Sequence, residues 1–286
     1  RGYKAMADVM RNSKIKKMGK DDLRRMQLLQ VELLREVDRI CVKYGIHYSV
    51  EGGTLLGVIR HKGFIPWDDD VDIAMVRNEY EKFCSVCNKE IDKEKYFFQN
   101  HDTDPEYRWG YAKVLRNGTS YIRYGQEHLK MRRGVYVEIF PMDGIPEGYI
   151  AKAFFNFSRV CCRKIMWSEV GKLQCKTAGM RLWFRILNKV PIDRVFQYLN
   201  YLAKKYDADK AKYVTCLSFH DCWVKGNRGF KPEYYINTKR AFFEGISVNI
   251  PKKDKELLVV LFGKDYMIPP PEKERETHIP AADFKF

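Results

Sequence analysis

Apolar positions early in the chain repeat at helical spacing and then switch to strand-like alternation. Asp21 is placed to cap a long helix running to about Tyr44. Met26, Leu29, Leu33, Val37 and Ile40 fall on one face of it, and Gly45 supplies the stop. HYSVEGG reads as a short strand entering a glycine turn, and TLLGVIRH as a short helix ended by Gly63 and Pro66. DVDIAM alternates as a strand does. An amphipathic helix over 77–90 follows, then four strand candidates separated by polar turns: KYFFQN, YAKVLR, SYIRYG and VYVEIFPM.

From about Gly148 the pattern turns mostly helical, over 149–168 and 178–205, rich in Lys, Arg and aromatic residues. YVTCLS and ISVNIP read as short strands, and Asp254 is expected to cap a last helix, KELLVVLF, stopped by Gly263. Prolines should hold DYMIPPPEKERETHIP extended. The fold class expected is α+β. A mixed core over about 45–145 and a helical part over about 149–286 form one unit, 21–286, behind a basic arm, 1–20.

Of 286 residues, 45% are apolar and 31% charged, which excludes a disordered chain. Lys and Arg outnumber Asp and Glu 52 to 37, a net +15. Such a charge attracts polyanions: nucleic acid, an anionic membrane face, a phosphate-rich glycan or nucleotide substrates. No run approaches the ~20 apolar residues of a membrane span. The chain begins at Arg1, so a trimmed leader or anchor stays open. The eight cysteines lack zinc-ribbon spacing. Cys84 and Cys87 fall within the expected helix and read as buried thiols of a reducing, cytoplasmic protein, while the basic surface is expected to hold it peripherally at the anionic inner face of a membrane.

The chemistry concentrates in PWDDDVDIA. Asp68, Asp69, Asp70 and Asp72 crowd the entrance to a strand, where like charges repel. Alternation puts Asp70 and Asp72 on one face, with Val71 and Ile73 turned into the core. A divalent cation, Mg²⁺ or Mn²⁺, would offset the repulsion. In GVYVEIFPMD, Glu138 is a lone charge among apolar neighbours. It calls for a partner, either that same metal or a nearby Lys or Arg. Gly52 and Gly53 precede a helix, where backbone can approach phosphate. Lys113, Arg116 and Arg123 lie on strands between the acidic pair and Glu138 and are phosphate-contact candidates, equally readable as a solvated sheet face. His61 and Trp67 read more simply as structural residues. A phosphate cradle facing a metal site is equipment for transfer at phosphorus.

EGGTLLGVIRHKGFIPWDDDVDIAM resembles the signature of LicD/fukutin-type phosphotransferases. DRICVKYGIHYSV, RNEYEKF, KVLRNGTS, VYVEIFPMDGIP, FFEGISVNIP and FGKDYMIPPPEKE agree in order, so the resemblance spans about 25–272. It implies a nucleotidyltransferase-like, polymerase-β-type fold. It also implies transfer of phosphocholine or another alcohol phosphate from a CDP-linked donor, CDP-choline foremost, to a glycan or lipid-linked glycan such as lipopolysaccharide or teichoic acid. Gly52, Gly53, Asp70 and Asp72 match the motif, and Glu138 stands where many relatives carry Asp. On this resemblance Asp70, Asp72 and Glu138 hold the metal and catalyse, while Gly52, Gly53, Thr54 and Lys113 contact phosphate. A nucleotidyltransferase acting on RNA or a small acceptor, and a non-catalytic glycan-binding module, are the alternatives. No RNA-recognition motif supports the first.

Overall fold

The computed structural model describes residues 16, 18–218, 229–275 and 281–286. Most of the expected basic arm and Cys222 therefore lie outside the described residues. Helix α1 (Lys20–Tyr44) starts one residue before its anticipated cap, with Gly19 in the cap position. Asp21 and Asp22 sit instead in the first turn, where negative charge favours the helix dipole. Gly45 ends the helix in the left-handed region at φ 58°, which its missing Cβ permits.

Mixed pairing builds the main sheet. Its strands are β1 (Ser49–Val50), β2 (Asp72–Val76), β3 (Tyr96–Gln99), β4 (Ala112–Arg116) and β6 (Tyr136–Gly144). They lie in the order β1-β2-β6-β4-β3, and β7 (Val214–Thr215) pairs with the far end of β6. β2 and β6 run parallel. A parallel pair needs a long crossover, which helix α3 (Arg77–Glu90) and the β3–β4 hairpin provide. Register then decides the chemistry. Asp72 stands opposite Glu138, Glu138 opposite Lys113, and Lys113 opposite Gln99. Directly opposed residues share a face, so one polar row crosses four strands. The next row, Ile73, Ile139 and Ala112, is fully buried in the main core.

SYIRYG yields strand β5 (Ser120–Arg123), which leaves the main sheet and pairs with β10 (Ala281–Lys285). The helical part is α4 (Tyr149–Met166), α5 (Ser168–Gln174), α6 (Ala178–Leu187) and α7 (Ile192–Lys205). The single helix expected over 178–205 is two, because Pro191 cannot continue one and instead starts α7. Phe155, Cys162 and Met166 of α4 pack with Val195, Leu199 and Leu202 of α7 in a second small core. Arg108 ties this part to the sheet. Its guanidinium donates to the carbonyls of Met166 at 3.0 Å and Ile165 at 3.1 Å.

Helix α8 (Glu233–Ile236) precedes a hairpin of β8 (Thr238–Phe243) and β9 (Ile246–Pro251). Asp254 does not cap the last helix, α9 (Asp254–Phe262), but is its first residue, held by Lys239 at 3.2 Å. The proline-rich tail is not wholly extended: Glu272–Glu274 form a 3₁₀ turn, and 276–280 lie outside the described residues.

Candidate active site

The acidic run lies in the loop between α2 (Gly52–Arg60) and β2. The strand starts at Asp72, so Asp70 belongs to the entering loop rather than to the alternating strand. Buried amides from α1 fix this loop. Gln27 Nε2 donates to the Asp68 carbonyl and Gln30 Nε2 to the Asp69 carbonyl, each at 3.0 Å. Tyr121 of β5 donates its hydroxyl to Asp69 Oδ2 at 3.0 Å. The carboxylates of Asp68, Asp69 and Asp70 thereby present oxygens within 4.8 Å of one another.

Asp72 joins them from the strand. Burial raises its carboxyl well above the usual range, and the charges of Asp70, Glu138 and Asp68 raise it further. Its Oδ1 is buried without a hydrogen-bond partner. Glu138 is the opposite case. Lys113 Nζ stands 2.8 Å from its Oε1, Tyr111 donates a hydroxyl at 3.1 Å, and Arg123 Nη1 lies at 3.8 Å. Burial pushes Glu138 up, but Lys113 and Arg123 outweigh it and hold the carboxyl below its ordinary value. Arg123 also reaches Asp70 Oδ2 at 3.8 Å, linking loop and sheet.

Lys113 is buried, with its ammonium 3.5 Å from the Tyr136 ring centre. Burial lowers it to about 8, with Glu138 opposing. The structure thus places Lys113 as the ion-pair partner of Glu138, inside the polar row. Of the other basic candidates, Arg123 faces the carboxylates, whereas Arg116 pairs with Glu32 at 3.3 Å, away from them. His61 takes a hydrogen bond from Arg60 at 2.9 Å, and Trp67 packs on the core beneath Arg275, 5.2 Å from its ring centre. The Arg275 contact lays the proline-rich tail against the acidic motif.

The glycines bring helix α2 onto this cluster. Gly52 has φ 56°, and a Cβ there would meet Asp72 Oδ2 at 3.9 Å. A Cβ on Gly53 would stand 2.7 Å from Asp68 Oδ2, closer than real Cβ atoms come. Thr54 Oγ1 accepts from the Asp72 amide at 3.0 Å and pins the first residue of the strand. The N-terminus of α2 so lies against the Asp68 and Asp72 carboxylates, an arrangement that invites a cation and a phosphate together. The set fits a divalent cation, because hard oxygen donors and an unpartnered buried Asp72 oxygen are both present.

Sequence reasoning passed over three contributors. Glu51 sits just before the glycines. Its amide donates to the Asp72 carbonyl at 3.0 Å, its carboxyl accepts from Tyr235 at 2.9 Å, and burial raises it to about 7. An acid directly before Gly-Gly was the available signal. Gln27 and Gln30 were the other two, polar residues inside an apolar helical stripe. A cleft of about 240 Å³ also opens beside Tyr111, walled by Tyr80, Trp109, Phe196 and Leu199.

Among the described residues no helix is long and apolar enough to cross a membrane. The family model for the LicD/FKTN/FKRP nucleotidyltransferase domain matches residues 45–167. Over 268 residues the chain is 31% identical to the lipopolysaccharide cholinephosphotransferase LicD of Haemophilus influenzae, covering 91% of this chain and 97% of that protein. A stretch of 44 residues is 46% identical to the ribitol 5-phosphate transferase FKRP of human and of mouse, 15% of this chain and 9% of those proteins. With a likeness that runs nearly end to end and a family match that contains the whole acidic and glycine cluster, the chain belongs to the LicD family of phosphotransferases.

Proposed function

We propose that this phosphotransferase moves phosphocholine, or a closely related alcohol phosphate, from a CDP-linked donor to a hydroxyl of a cell-surface glycan. The fold is read as nucleotidyltransferase-like. The transferred group and the glycan acceptor are argued from the relatives, whose names specify cholinephosphate transfer to lipopolysaccharide and transfer of ribitol 5-phosphate, and the CDP-linked donor from the carboxylates facing the glycine turn. The observation that carries the reading is the Asp72 Oδ1 left without a partner amid Asp68, Asp70 and Glu138, opposite the Gly52–Gly53 helix start. Those groups suit a diphosphate and its cation.

In the reaction the acceptor hydroxyl oxygen forms a bond to the phosphorus bearing the alcohol. The bond from that phosphorus to the bridging oxygen breaks, CMP leaves with the electron pair, and the hydroxyl proton passes to a carboxylate. Asp68, Asp70 and Asp72 would hold Mg²⁺ or Mn²⁺, which neutralises diphosphate charge when bound. Arg123 adds a fixed positive charge on the same side. Lys113 keeps Glu138 ionised and in place. Thr54 and Glu51 fix the backbone of Asp72, so the carboxylates meet the donor preorganised. The cleft beside Tyr111, with Tyr80, Trp109 and Phe196 in its walls, offers the ring faces that suit a quaternary ammonium such as choline. A lipid-linked acceptor sets the enzyme at a membrane surface.

CMP release from a panel of CDP-alcohols, with a glycan acceptor and with Mg²⁺ or EDTA, tests the proposal. CDP-choline should give metal-dependent release that Asp70→Asn abolishes without loss of fold. Release unaffected by EDTA, or retained in Asp70→Asn, would overturn it.

A further inference from the structure

The helical part carries a face that the catalytic reading leaves unused. On α4, Ile150, Phe154 and Phe157 fall at positions i, i+4 and i+7, one side of the helix, and are 83%, 55% and 67% exposed. The opposite side of α4, with Phe155, Cys162 and Met166, supplies the second core. Helix α6 goes further. Phe184 is its buried residue, packed edge-on against Trp167 at 5.3 Å, while Leu182, Trp183 and Ile186 are each more than half exposed. The two helices adjoin, with Lys164 of α4 lying 5.8 Å from the Phe184 ring centre. Among the described residues no element covers either stripe. Scattered surface leucines need no explanation, but two neighbouring stripes of large apolar side chains do.

Charge identifies what covers them. Residues 149–205 hold twelve Lys and Arg against Glu169 and Asp193, so this fifth of the chain carries two-thirds of its net +15. Lys164, Lys176, Arg185 and Lys189 are exposed beside the apolar stripes. A second copy of the chain would set this strong positive charge against itself. An anionic bilayer surface meets both demands, with headgroups for the cations and the acyl boundary for Phe, Leu, Ile and Trp.

We infer that the α4–α6 face docks the enzyme on an anionic membrane, with Ile150, Phe154, Phe157, Leu182, Trp183 and Ile186 entering the headgroup layer. This goes beyond the phosphotransferase reading and does not depend on it. Docking of this kind combines a salt-sensitive attraction with a salt-insensitive insertion.

Vesicle cosedimentation of the full chain tests the inference, using phosphatidylglycerol–phosphatidylcholine vesicles against phosphatidylcholine alone. Binding to the anionic vesicles is expected, weakened several-fold but not abolished between about 0.1 and about 0.5 M NaCl. Leu182→Glu with Trp183→Glu should weaken it at least about tenfold, since two apolar anchors become charges. Arg185→Gln with Lys189→Gln should lower binding to the anionic vesicles alone. CMP release with a soluble acceptor should stay unchanged in both double variants, so loss of docking is separable from loss of catalysis. No vesicle binding, binding indifferent to these substitutions, or a concentration-dependent dimer that they dissolve would overturn the inference.

Discussion

Replacing Lys113 with Met, in protein freed of divalent metal, should destabilise the fold by about 3 kcal/mol. The ammonium and the Glu138 carboxylate stand 2.8 Å apart and are 5% and 3% exposed. At an effective dielectric of about 20, attraction over that distance is about 6 kcal/mol, and the cost of removing both ions from water offsets much of it. Deleting the cation cancels the attraction but leaves Glu138 desolvated. Breaking a buried pair in this way typically costs about 3–5 kcal/mol. Arg123 at 3.8 Å and the Tyr111 hydroxyl at 3.1 Å keep part of the compensation, which sets the loss at the lower end. The double variant K113M/E138L removes both charges and should return to within about 1 kcal/mol of the parent, while its CMP release is lost. Urea denaturation in EDTA of the parent, both single variants and the double closes the cycle. A Lys113→Met variant as stable as the parent, or a double variant no more stable than Lys113→Met, would refute the buried pair.

Glu51→Gln probes the raised carboxyl at the head of α2. Because burial lifts it to about 7, its contribution to stability is whole below about pH 4.5 and is lost as pH rises through 7. Parent and Glu51→Gln should therefore unfold alike near pH 4.5, and the variant should be more stable by about 2–3 kcal/mol at pH 8; a pH-independent difference would exclude the shift. Asp72→Asn removes one of several mutually repelling carboxylates, so without metal the variant should gain about 1 kcal/mol. Magnesium at about 100 times its Kd should stabilise the parent by about 2.7 kcal/mol and the variant by less than half of that, read by thermal unfolding. Gly53→Ala would set a methyl 2.7 Å from Asp68 Oδ2 and push that carboxylate aside. CMP release should drop at least about tenfold, with unchanged circular dichroism.

How much of this was legible in sequence depended on whether the signal was local. The helix of 20–44, its Gly45 stop, and the strand and helix flanking the acidic run follow from periodicity and breakers within a few residues. Asp70 and Asp72 were singled out because charge at the mouth of a strand violates a local pattern. What lay hidden was set by register. Nothing near Lys113 in the chain says that it stands opposite Glu138, whose partner stayed undecided between a metal and a basic side chain. Asp68 and Asp69 sit just before the strand, where the sequence shows no more than a helping or orienting role, yet α1 amides and Tyr121 draw that loop onto the cluster. The split at Pro191 was readable and went unread. The pairing of β5 with β10 was not readable, because five residues of mixed character, AADFK, at the far end of the chain carry almost no pattern.

That last pairing has a consequence for how the protein is made. Arg123 and Tyr121, the side chains that β5 extends toward the carboxylates, are registered against Ala281 and Phe284. About 160 residues separate the partners, and at about 5–20 residues per second the ribosome needs roughly 10–30 s to span them. The sheet core and its acidic loop can therefore fold on the nascent chain well before the strand that braces their cationic wall has been synthesised. Through that interval β5 is an unpaired edge. A product cut short within the helical part would keep the carboxylates, lose the Phe196 and Leu199 wall of the cleft, and offer that edge to the nearest foreign strand.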